Sequence, residues 1–269
     1  MCPQLGVADK MRLPLNQREV SRRYLAAKNE WCGPMKVHVE RHRAVLPCNG
    51  KRAIGVEVNP VDATDEQVRL LLVLYRCPVP FHIVRTRFLG SIASPEMGVS
   101  AIEAVKSLWG GDLPRFRSKA ALNELMEVLV TSLWNRLARH RERKVPFRLL
   151  ELDVPPDREG LGRLAGVRRE ELEGFMEGLF GAKETLKLPH RAYRALEELS
   201  EIRMSLYTLQ LSFSEAFEPA TPAEIAGTLG TLRMLTETAE HEIHEAVLSC
   251  TKARPDTLSG VPASKTILD

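Results

Sequence analysis

The sequence contains no apolar run able to cross a membrane. The longest, Val68 to Tyr75, is broken by Arg69 and is far shorter than the ~20 residues that a helical span needs. The first ten residues hold no apolar stretch behind a basic start, so no secretory signal is expected and a cytoplasmic location is. Cysteine is scarce. Cys2, Cys32, Cys48, Cys77 and Cys250 are odd in number, irregularly spaced and without a CxxC pair, a poor disulfide framework that predicts free, reduced thiols. Charge of one sign nearly cancels: 38 Lys plus Arg against 35 Asp plus Glu leave +3, which does not select nucleic acid or a membrane as a partner of the whole chain. Enzyme signatures are missing too. There is no G-x-S-x-G elbow and no G-x-x-x-x-G-K-[ST] phosphate loop, and Gly160-Leu-Gly162 with Gly166 lacks the preceding parallel strand that gives a G-x-G pattern its meaning. Neither an enzyme activity nor a cofactor is expected.

What is present is material for a core. With 269 residues, 44% of them hydrophobic, the chain can bury about 70–75% of its unfolded surface. The pattern changes near residue 60. Residues 1–60 carry Pro3, Pro14, Pro34, Pro47 and Pro60, one helical candidate over 16–29, and short alternating pieces at 37–41 and 54–58 that leave room for a β-hairpin. From Thr64 onward helix signals dominate. Thr64-Asp-Glu-Gln67, Ser100-Ala-Ile-Glu103 and Thr221-Pro-Ala-Glu224 all have capping-box spacing, and the last has Pro at the first helical position. The first helix must stop before Cys77-Pro78, and the second ends at Trp109-Gly110-Gly111. From Ser118, Leu122, Leu125, Met126, Leu129, Val130, Leu133, Trp134 and Leu137 form one stripe at period 3.6. Its basic end, Arg136 to Lys144, suits the negative pole of a helix dipole. A polar connection over 153–166 then leads to helices at 167–180 and 190–217, and to a final helix running to about Cys250 with a weak point at Gly227 and Gly230. The expected fold class is mainly all-α. It is an irregular multi-helix bundle at 61–250, with a basic N-terminal extension at 1–60 and a flexible tail at 251–269.

Four motifs in order resemble a known family. Phe88-Leu-Gly-Ser-Ile-Ala-Ser-Pro95-Glu96 looks like the GFL-x-A-x-x-x-x-PE helix end of the bacterial YecA/YgfB-like proteins. Leu108-Trp109-Gly110-Gly111-Asp-Leu-Pro-Arg-Phe116 resembles their WGG-x-x-P-x-F turn, Leu133-Trp134-Asn135 their hydrophobic-aromatic-Asn step, and Glu173-Gly174-Phe175-Met-Glu-Gly178-Leu179 their GF-x-x-G helix. The resemblance implies an all-helical cytoplasmic protein with no established catalytic activity, whose relatives look like binding or regulatory proteins. The carboxylate common before the first GF-like step has no counterpart, since the chain reads Arg85-Thr-Arg-Phe88, and the Cys-rich metal-binding tail of some members is absent.

The same residues have structural uses. Gly174 and Gly178 are four apart, on one helix face, and predict close approach of another backbone, with Phe175 and Leu179 packing beside them. Gly110 and Gly111 read as a C-cap and turn, with Trp109 as a core anchor. Asn135 either faces solvent or bonds a neighbouring segment, and the bond is the preferred reading. Two groups have metal-ligand chemistry without good metal spacing. Cys32, His38, His42 and Cys48 lie too far apart for a paired-thiolate zinc site, and Glu237, His241, His244 and Glu245 all come from one helix. No metal is expected at either.

The charge is unevenly placed. Residues 10–52 hold 11 Lys or Arg against 3 Glu, which is +8; with a whole-chain charge of +3, the remainder carries −5. Arg18, Arg22, Arg23 and Lys28 cluster around one helical face and could contact phosphates, or could dock on an acidic protein surface. The expected function is non-enzymatic binding or regulation through protein–protein contacts of the helical domain, with an unknown protein partner and a homodimer possible. Nucleic-acid association through the basic segment is the alternative, and metal binding a weaker one.

Overall fold

The computed structural model describes residues 63–95, 100–183, 185–215 and 221–254, all within the second of the chain's two units, Ala44–Asp269. These residues are mainly helical and include no strand. The basic segment with its expected β-hairpin, Glu96, and the Cys32/His38/His42/Cys48 group lie outside them.

All three capping boxes form. Helix α1 (Asp65–Leu74) opens with the Thr64 hydroxyl accepting from the Gln67 N–H at 3.3 Å, while the Gln67 side chain accepts from the Thr64 N–H at 2.8 Å. It closes before the prolines, with Arg76 at φ 50 and the Cys77 N–H returning to the Leu72 carbonyl at 2.8 Å, a Schellman turn on a non-glycine residue. Helix α2 (Phe81–Ala93) buries Phe81, Val84, Thr86, Phe88, Leu89, Gly90, Ile92 and Ala93, residues on nearly every side, so it is the central helix of the unit. Helix α3 (Ala101–Ser107) carries the second box on Ser100 and Glu103 and ends at a turn where Gly110 and Gly111 take φ 80 and 111.

Helix α4 departs from simple periodicity. It starts at Ser118 as an α-helix over Lys119–Met126, widens to a π-helix over Glu127–Trp134, returns to α over Asn135–Ala138 and ends as 3-10 over Arg139–Arg141. In an α-helix, each four-residue step drifts by roughly 40°, so Leu125, Leu129, Leu133 and Leu137 would spread over about 120°. The π segment turns less per residue and cancels much of that drift. All four leucines are at most 2% exposed. Val128 and Ser132 are drawn inward with them, while Met126, Val130 and Trp134, expected on the stripe, are only half-buried.

An extended strap, residues 146–155, leads into α5 (Arg158–Phe180). This helix begins nine residues before the expected start at 167. The glycines that made 158–166 read as a connection are packing glycines: a Cβ on Gly160 would lie 2.1 Å from the Pro155 carbonyl oxygen, and one on Gly166 would lie 2.9 Å from the Gln210 amide. Helix α6 (His190–Glu215) follows Pro189. Helix α7 (Pro222–Lys252) then runs without a break through Gly227 and Gly230, so the expected weak point does not interrupt it. The tail does not begin loose at residue 251. Arg254 donates to the carbonyls of Ser94 (2.7 Å) and Ile92, capping the C-terminal end of α2.

Candidate functional site

The motif residues divide among several places. Gly174, Phe175 and Gly178 lie where α2 crosses α5, whereas Phe88 meets Trp134 of α4, the two rings edge-on at 5.4 Å. The contact is reciprocal. A Cβ on Gly90 would lie 2.1 Å from the Phe175 carbonyl oxygen, and one on Gly178 would lie 2.0 Å from that of Arg87, so each glycine admits the other helix's backbone. Gly174 faces Thr86 and Ile83. Polar bonds close the rims: Ser91 donates to the Gly178 carbonyl at 3.2 Å, Arg87 pairs with Glu177, and His82 meets Glu170 at 2.8 Å.

Trp109 and Gly110 lie elsewhere, at the turn after α3. Trp109 is half-buried, and its indole N–H donates to the Tyr75 carbonyl at 3.1 Å; Leu108, 1% exposed, holds the core position expected of it. Pro95 is buried. Asn135 corrects another expectation. It is exposed, and its amide returns to the Thr131 carbonyl of its own helix at 3.0 Å, because the rotation of α4 turns it to solvent.

Glu237, His241 and His244 share one side of α7 by helical spacing but not one environment. Glu237 and His241 are exposed and His244 is buried; among the described residues neither His244 ring nitrogen is hydrogen-bonded and no metal-binding cluster occurs. The two described thiols are free, and both are discouraged from ionising by burial: Cys77 is raised, and Cys250 is pushed up to about 12. Neither makes an activated nucleophile at neutral pH.

Sequence reasoning missed a cationic cleft. It has a volume of about 610 Å³ and is lined by Thr64 and Asp65 at the start of α1, Arg85 of α2, and Arg136, Arg139 and His140 at the end of α4, among others. Arg136 is already committed, to Asp65 and to the Ala63 carbonyl at 3.0 Å. The Arg85 guanidinium lies 6.0 Å from the Phe81 ring and 5.4 Å from that of Phe147, donates to the Arg148 carbonyl at 3.2 Å, and leaves Nη1 buried without a hydrogen-bond partner among the described residues. Desolvation pulls its pKa down, against the pull of Asp65 and Glu171. Arg139 is exposed and forms no ion pair among the described residues. His140 Nδ1 donates to the Val145 carbonyl at 3.0 Å, and burial, joined by the charges of Arg85, His244 and Arg139, lowers its pKa. The Arg136–Lys144 run, read from sequence as a helix end, is thus also a cleft wall. Its only other signal was Arg85-Thr-Arg87, which stands where the resembled family carries a carboxylate.

The strap behind the cleft is clamped by two carboxylates. Glu171 of α5 accepts from the Leu150 N–H at 2.8 Å, and Glu240 of α7 accepts from that of Leu149 at 2.9 Å. Glu171 is paired with buried Arg168 at 2.5 Å, yet desolvation outweighs that partner and raises its pKa. On the outside of α1, Leu70, Val73 and Leu74 are 61%, 75% and 68% exposed and adjoin at helical spacing.

No protein-family model, curated protein or solved structure matches this chain.

Proposed function

We propose that the protein is a non-enzymatic cytoplasmic binding protein with a regulatory role, acting through protein–protein contacts of its helical domain. The observation that carries this reading is the apolar strip Leu70, Val73 and Leu74 on α1. Each side chain is worth about 1.5–3 kcal/mol when buried, and three side by side suffice to seat an apolar partner surface. The resemblance to the YecA/YgfB-like proteins supports the same reading. Affinity capture from the native host tests it, using wild type beside Leu70→Lys/Leu74→Lys. Partners held by the wild type and lost by the variant sustain the proposal; an unchanged set defeats it. A dimer in solution that the variant converts to monomer would make the partner a second copy of the chain. A second reading rests on the +8 balance of residues 10–52: nucleic-acid association through Arg18, Arg22, Arg23 and Lys28. It fails if RNA and DNA affinity is unchanged in Arg18→Glu/Arg22→Glu or does not fall with salt.

A further inference from the structure

The cleft between α1, α2 and the end of α4 holds more positive charge than its own carboxylate can balance. Asp65 pairs with Arg136, while Arg85 and Arg139 line the same space and form no ion pair among the described residues. Arg85 is the unusual one. Its charge is half-buried between two phenyl rings, and one of its nitrogens satisfies no acceptor among the described residues. A guanidinium taken out of water in this way is costly until an anion sits beside it, and charge-assisted bonds to anionic oxygens are the strongest available to it. His140 adds a different function. Because Nδ1 gives its proton to the Val145 carbonyl, the neutral ring is left with Nε2 as an acceptor, suited to a hydroxyl rather than to an anion.

We propose that this cleft binds a small phosphomonoester, with Arg85 and Arg139 taking the phosphate, Arg136 supporting them and His140 accepting from a hydroxyl of the organic part. The two free positive charges match a phosphate monoester, which carries about −1.5 to −2 at neutral pH, better than a monocarboxylate. The volume agrees: about 610 Å³ lies within the roughly 300–1,000 Å³ of small-molecule sites and exceeds what inorganic phosphate alone would fill. Planar guanidinium forks are also the side chains best fitted to phosphate oxygens.

Calorimetric titration of the full chain with ribose 5-phosphate, at constant ionic strength, tests the proposal beside inorganic phosphate, acetate and a short single-stranded RNA. The expected result is saturable binding of one ribose 5-phosphate per chain, tighter than inorganic phosphate and far tighter than acetate. Arg139→Gln should weaken it by roughly tenfold or more, the loss of one charge-assisted bond, with unfolding temperature unchanged because Arg139 is exposed. Arg85→Lys should weaken it similarly, since an ammonium cannot reproduce the fork. Absence of saturation, acetate binding as tight as the phosphomonoester, or unchanged affinity in Arg139→Gln would overturn the site. Binding of RNA without binding of ribose 5-phosphate would overturn the small-molecule ligand.

Discussion

The two sides of α2 meet their neighbours by opposite means. Toward α5 the side chains are withdrawn: Gly90 receives one backbone, Gly178 receives the other, and Ser91 bonds across the seam. Toward the strap and α4 they are large or charged: Phe88 meets the Trp134 ring, and Arg85, lying near the rings of Phe81 and Phe147, lines an open cleft. The first side spends its hydrogen-bonding capacity internally. The second keeps some in reserve, in Arg85 Nη1 and His140 Nε2. A close backbone contact and a binding space are thus built on successive faces of one helix by the choice of side-chain size.

The largest effect is expected on the open side. Glu171→Ala leaves Arg168 buried without its counter-ion and the Leu150 N–H without its acceptor, and should cost about 3–5 kcal/mol in chemical denaturation. A loss below about 1 kcal/mol would mean that the strap is held by its apolar residues instead. On the closed side, Gly178→Ala drives a Cβ into the Arg87 carbonyl, which belongs to backbone and cannot swing away; about 3 kcal/mol should be lost. An unchanged melting temperature would show that the helices are not in contact there.

The pH response separates the sides further. His140 has its folded pKa below the ordinary 6.5, mainly through burial, so the unfolded chain takes up the proton first. Stability should fall as pH drops from about 6.5 toward the folded value and be independent of this group above that window. His140→Gln should flatten the difference between denaturation midpoints measured near pH 7.5 and 5.5; an equal slope in both proteins would remove His140 from the account. The smallest effect is a gain. Gly230 sits in helix α7 with open space where a Cβ would go, and Gly230→Ala should stabilise by about 0.5–1 kcal/mol, the reverse of Gly178→Ala.

The closed side was readable in sequence because its cause is local and its grammar is simple. Four-residue glycine spacing in Glu173–Leu179 predicts a close approach, and hydroxyl–carboxylate or hydroxyl–amide spacing at 64, 100 and 221 predicts three helix starts. The open side was not. Arg85 and His140 are 55 positions apart by number, and nothing in either neighbourhood says that a strap will bring Phe147 beside both. The start of α5 was missed for a related reason: glycines at 160, 162 and 166 look like a loop until Pro155, Phe213 and Gln210 are known to press against them. The π segment was invisible because its benefit, keeping a row of leucines aligned over three turns, is a property of the packed core and not of any local propensity.

The Arg254 cap sets a timetable for synthesis. Arg254 closes the end of α2 on the Ser94 carbonyl, 160 residues earlier in the chain, and the partners of Arg87 and Ser91 on α5 lie 90 and 87 residues downstream. At ~5–20 residues per second, a ribosome needs roughly 10–30 s to travel from Ser94 to Arg254. For about the first half of that interval, until Glu177 and Gly178 are made, a helix with apolar residues on nearly every side lacks its main partner α5, and the nascent chain is most exposed to aggregation or chaperone capture; the Arg254 cap can close only at the end of it.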